Sequence, residues 1–150
     1  VNQMVMGAYS SMLSSAVMNN LIVWGDFRSD ELVAVSSPTK DALTEISAVN
    51  IQTTNSFADW GPLYSVINNC NIVLDRAKAV MSIDPSYTEG DYLVDRSQML
   101  ALRSLCYFYL VRNFRDVPYS DHAYMNSSEK MDIPQNNPDS VLQLCINDLV

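Results

Sequence analysis

At 150 residues, with 48% hydrophobic and 17% charged side chains, the chain has the size of one globular domain and buries about 70% of its unfolded surface. Its net charge of −8 works against partners that present phosphate backbones or anionic lipid headgroups, so nucleic acid is disfavoured as a partner. No apolar run approaches the ~20 residues of a membrane span, and no basic-then-apolar leader opens the chain.

Residues 2–20 read as one amphipathic helix, because Met4, Val5, Ala8, Tyr9, Met12, Leu13, Ala16 and Val17 recur at three and four. The next four residues, Leu21 to Trp24, read as extended chain or buried turn, broken at Gly25. Asp26, Arg28, Asp30 and Glu31 then place three carboxylates around one guanidinium. That composition suits a structural Arg–carboxylate network first and a ligand-contacting loop second. It does not suit a metal, since Arg28 would repel a cation and the spacing is that of no Ca²⁺ loop. Leu32 to Asp59 carries little pattern, apart from a short helix expected from Ser37-Pro38 to Ile46. The polar run before Trp60, which includes Asn55, reads as a long functional loop.

Trp60 to Met81 is the cleanest helix. Gly61-Pro62 puts proline in the first turn, and Leu63, Ile67, Cys70, Leu74, Ala77 and Met81 follow at alternating steps of four and three. Asn68, Asn69 and Asn71 are unusual inside a helix, where Asn competes for backbone hydrogen bonds. Thr88 to Asp91 supplies cap chemistry for the most apolar stretch, Tyr92 to Pro118. There Leu100, Tyr107, Val111 and Phe114 fall on one side, and Met99, Leu102, Cys106 and Leu110 on another. A helix apolar round so much of its circumference must be covered from several directions. Tyr119 to Pro138 reads as loop, and Asn137-Pro138 starts a last helix that runs to Leu149.

These motifs carry a family resemblance. Trp24-Gly25-Asp26 with Arg28 and Asp30-Glu31, then Trp60, Tyr64, Ile67-Asn68 and Cys70-Asn71, come first. Leu102-Arg103-Ser104, Tyr107 to Arg112, Asp116-Val117-Pro118 and Asp148-Leu149 follow in the same order. Together they resemble the signatures of the SusD/RagB family, the outer-membrane nutrient-binding lipoproteins of Gram-negative bacteria. Family members usually carry Ala at Ser104 and Gly at Arg115; with Arg115 there, the end of the central helix need not adopt a left-handed glycine conformation. The resemblance implies an all-α fold, a tetratricopeptide-like helical array with long loops. Residues 1–150 would be its N-terminal portion, with both ends cut from a longer protein.

The resemblance also implies a lipid-anchored cell-surface protein that captures glycans or peptides and passes them to a TonB-dependent, SusC-like transporter. It implies no enzyme and no cofactor. The alternative from another class is a structural helical module that binds a protein partner and no nutrient. On chemistry, Trp24 and Trp60 border loops and are the candidate stacking platforms, with Arg28 and Asn55 as polar neighbours. His122 is the single histidine and has no nucleophile beside it in sequence. Cys70, Cys106 and Cys145 read as small buried hydrophobes. Arg103, in an apolar helix, needs a carboxylate, and the Asp26, Asp30 and Glu31 cluster is the first expected to supply it.

Overall fold

The computed structural model describes residues 1–29, 31–33, 41–126, 128–129 and 132–150. Among them are six α-helices: α1 Asn2–Met12, α2 Ser15–Trp24, α3 Asp41–Ser47, α4 Gly61–Val80, α5 Glu89–Phe114 and α6 Pro138–Leu149. Short 3₁₀ turns cover Asp26–Ser29 and Ser56–Ala58. Two residues of β1, Val117–Pro118, pair antiparallel with β2, Gln135–Asn136. The fold is an all-α helical array.

The caps explain where the helices begin. Thr88 and Asp91 form a reciprocal capping box at the start of α5, and Asn137 accepts from the Ser140 N–H at 2.8 Å to start α6. Asp59 accepts from Gly61 N–H at 2.8 Å just ahead of α4. At the N-terminus the expected single helix is two. Ser14 leaves the helical region at ψ 148 and caps Val17, so the chain turns before continuing as α2. Leu21 to Trp24 are therefore helical and not extended. The Ser37 start expected for α3 lies outside the described residues.

α4 packs against α1 on one side and α5 on the other, and α6 covers the far side of α5. The shared core takes Leu63, Val66, Ile67 and Cys70 from α4, and Met99, Cys106, Tyr107 and Leu110 from α5. α5 is thus buried on the two sides its sequence presents, against α4 and α6. A smaller cluster of Val23, Phe27 and Ile46 attaches through Trp24. All three cysteines are buried and free, and burial is the main cause that pushes the Cys70 thiol up to about 12 and raises the other two. They are neutral packing groups. No described helix is long and apolar enough to cross a membrane.

α5 ends against the expectation. Arg115 has φ 67 and ψ −86, close to the strained γ-turn region, although it is not glycine. Its side chain is 83% exposed, so no packing offsets the strain. A non-glycine residue held there costs ~1–3 kcal/mol, against which glycine's extra unfolded-state entropy subtracts ~0.5–1 kcal/mol. Arg115→Gly is expected to stabilise the protein by about 1 kcal/mol in urea unfolding. A lower midpoint would show that the backbone is not strained at this point.

Candidate ligand-binding site

An aromatic chain runs along the junction of α2, α4 and α5. Trp24 closes α2 and meets the ring of Phe114, at the end of α5, edge-on at 5.2 Å. Trp60 precedes α4 and contacts Phe114 at 5.7 Å and Tyr64 at 5.9 Å. Tyr64 meets Tyr107 at 6.3 Å, and Tyr107 stacks on Tyr119 at 4.7 Å. Two further bonds tie α2 to the segment before α4. The Trp24 indole N–H donates to the Phe57 carbonyl at 2.9 Å, and the buried Asn20 amide donates to the Asp59 carbonyl at 3.1 Å. Both tryptophans are half-buried, with ring planes fixed by neighbours, so neither must be ordered when a ligand arrives.

Three clefts open beside these rings. One of about 210 Å³ lies between Trp60, Tyr64 and Asn68 on one wall and Pro118, Ser120 and Tyr124 on the other. A second, about 290 Å³, is lined by Trp24, Arg28, Gln52, Thr53, Phe57 and Asn113. A third, about 360 Å³, is lined by Trp24, Arg28, Ser29, Tyr109, Arg112 and Asn113. The last two share Trp24, Arg28 and Asn113.

The segment that forms the outer wall of the first cleft is held by side chains of α4 and α5. Asn68 makes two bonds to the backbone of Tyr124, accepting from its N–H at 2.8 Å and donating to its carbonyl at 2.9 Å. Asn71 donates to the carbonyls of Ser120 and His122 at 3.1 and 3.0 Å. The Tyr107 hydroxyl donates to the Ser120 carbonyl and accepts from its N–H, at 2.9 and 2.8 Å. Tyr64 donates to the Pro118 carbonyl at 2.6 Å. The Asn residues that sit poorly in an isolated helix are therefore the latch of this segment.

Asn71 has a third partner. Its Oδ1 accepts from Arg103 Nη1 at 2.8 Å, while Arg103 Nε and Nη2 both donate to Asp148 Oδ2 at 3.1 and 2.6 Å. The two charged side chains are 6% and 19% exposed. Burial is the largest single influence and works against the Arg103 charge, but the hydrogen bonds it donates to Asp148 and the electrostatic attraction of Tyr119, Asp148 and Tyr107 together raise the guanidinium above its ordinary value. The expected partner of Arg103 is corrected here. Asp148, on α6, pairs with it, whereas Asp26 and Glu31 are exposed and form no described ion pair. Asp30 lies outside the described residues.

The four residues singled out for ligand contact divide as follows. Trp24 and Arg28 line the same two clefts, and Trp60 lines the other. Asn55 is buried and occupied: its amide donates to Ala42 O at 2.9 Å and Glu45 Oε2 at 2.8 Å, and its oxygen accepts from Phe57 N–H at 2.9 Å. It braces the loop and lines none of the three clefts described above. His122 meets Glu129 at 3.0 Å on the exposed surface. Among the described residues there is no cluster of three or more His, Cys, Asp or Glu that could hold a metal. Arg112 and Asn113 join the site without having been singled out, since polar residues at a helix end ordinarily read as solvated.

In fold the chain is similar to a SusD superfamily protein from Bacteroides thetaiotaomicron VPI-5482, at TM-score 0.83 and 25% sequence identity over 98% of this chain. The matched part is 32% of that protein, so the chain spans about a third of its length. No family model matches the sequence, and no curated protein does.

Proposed function

The chain being SusD-like, we propose that it is the N-terminal helical portion of a longer cell-surface binding protein. That protein captures glycans, or peptides, and delivers them to a TonB-dependent, SusC-like transporter. The observation that carries this reading is the likeness in fold, which extends over 98% of the chain. In this reading the full-length protein is lipid-anchored at the outer membrane and binds without catalysis. The aromatic chain supports it from the residues upward. Rigid indole rings beside open clefts suit the C–H faces of sugars, and the Asn, Ser and Thr groups around them suit hydroxyls.

The test uses the full-length protein and calorimetric titration with oligosaccharides and peptides. Trp24→Ala and Trp60→Ala are each expected to weaken binding by at least ~1 kcal/mol, as truncation of an aromatic anchor does. Thermal melts of the same variants, with Trp→Phe as the milder pair, separate lost contact from lost fold. Losses below about 0.5 kcal/mol at both positions would move the ligand contacts elsewhere.

A second reading, a helical module that binds a protein partner, draws on the exposed apolar face of α5 and α6. There Leu105, Phe108, Ile146 and Leu149 flank a groove of about 440 Å³. A full-length protein that binds no saccharide or peptide but still retains a protein partner would favour it.

A further inference from the structure

Among the described residues, the charged side chains that line the two clefts beside Trp24 are opposite in sign to the net charge of the chain. The sequence holds 17 acidic residues against 9 basic ones, yet neither cleft has an Asp or Glu among its described lining residues. Two guanidiniums line the larger one, Arg28 from the turn after α2 and Arg112 from the last turn of α5. Both side chains are exposed, and among the described residues neither makes an ion pair. Arg112 lies over the Phe108 ring at 5.4 Å. A cation–π contact uses none of the guanidinium's N–H donors, which remain for another group, and their planar fork matches a carboxylate. The Asn113 amide, fixed by donation to the Tyr109 carbonyl at 2.7 Å, stands between the two clefts. At about 290 and 360 Å³, each is comparable to the smaller ligand pockets of ~300 Å³.

Building on the nutrient-binding reading, we propose that these joined clefts form a subsite for a carboxylate-bearing saccharide. Arg28 and Arg112 take the carboxylate, and Trp24 provides the wall against which the ring lies. In a protein of net charge −8, general electrostatics repels an anion, so the preference must come from these two side chains and must weaken as salt screens them.

The experiment titrates the full-length protein with trigalacturonate, its neutral methyl ester and a sulfated trisaccharide. Trigalacturonate is expected to bind about tenfold more tightly than the ester, a difference of one charge-assisted contact. Arg28→Gln and Arg112→Gln should each remove most of that difference, weakening the acid far more than the ester. Both residues are exposed, so the variants should melt within a few degrees of the parent protein. Equal affinity for acid and ester overturns this inference and leaves the nutrient-binding reading standing. Binding of the sulfated sugar in place of trigalacturonate, with the same arginine dependence, overturns the assignment to a carboxylate. If none of the three binds and neutral oligosaccharides and peptides fail as well, both readings fall together.

Discussion

Arg103→Ala is expected to lower the urea midpoint far more than Arg112→Ala. The first substitution strips Asp148 of both its hydrogen bonds from Arg103, leaves Asn71 Oδ1 buried without its donor, and opens space between α4, α5 and α6. Removing one member of a buried ion pair costs ~3–5 kcal/mol. The 19% exposure of Asp148 points to the lower end of that range. Arg112 gives up one exposed cation–π contact and a favourable place at the C-terminus of α5, together worth about 1 kcal/mol or less. Equal losses would mean that the buried pair contributes no more than a surface charge. A double variant, Arg103→Met with Asp148→Leu, should recover much of the loss, because no charge is then stranded.

Asn71→Leu should rank next, at roughly 3 kcal/mol, with an apolar side chain of similar size in place of the amide. The substitution strands the carbonyl of His122 and one N–H of Arg103, and leaves the Ser120 carbonyl with the Tyr107 hydroxyl as its one described donor. Its signature distinguishes it from a packing defect. The double variant Asn71→Leu/Arg103→Ala should lose less than the sum of the singles, because the shared bond is counted in both. Strict additivity would show that the two residues do not act through that bond. Hydrogen exchange at Tyr124 and Ser120 should rise in the single variant, since their segment loses an anchor while α4 remains.

The helices that carry their own caps and period were legible. The starts of α4, α5 and α6 are marked by Gly61-Pro62, by the Thr88–Asp91 box and by the Asn137 cap, all local signals. What depends on tertiary contact was not. The Ser14-Ser15 turn is hidden inside an unbroken apolar period, and Leu21 to Trp24 look like a strand because their branched side chains suit one. Packing of Val23 and Trp24 makes them helical. Arg115 takes the positive φ that glycine would take, since the chain must reverse into β1 whatever residue stands there.

The site shows the same division. The oddity of Asn in the middle of α4 was visible, but its partners lie 49 to 56 residues away. The need of Arg103 for a carboxylate was equally visible. Which one answered it was not, because Asp148 is 45 residues distant and the acidic cluster near residue 26 had the more suggestive composition.

The latch on the segment after Pro118 has a consequence for how such a surface changes over generations. Asn68, Asn71, Tyr64 and Tyr107 all bond to backbone atoms of that segment, at Tyr124, Ser120, His122 and Pro118. None of these bonds reads the identity of the residue it holds. Side chains such as Tyr124, which face the cleft beside Trp60, can be exchanged while the backbone stays pinned to the helices. The segment behaves as a replaceable insert in a fixed frame, so a new ligand preference can arise there without a compensating change in the helices that hold it.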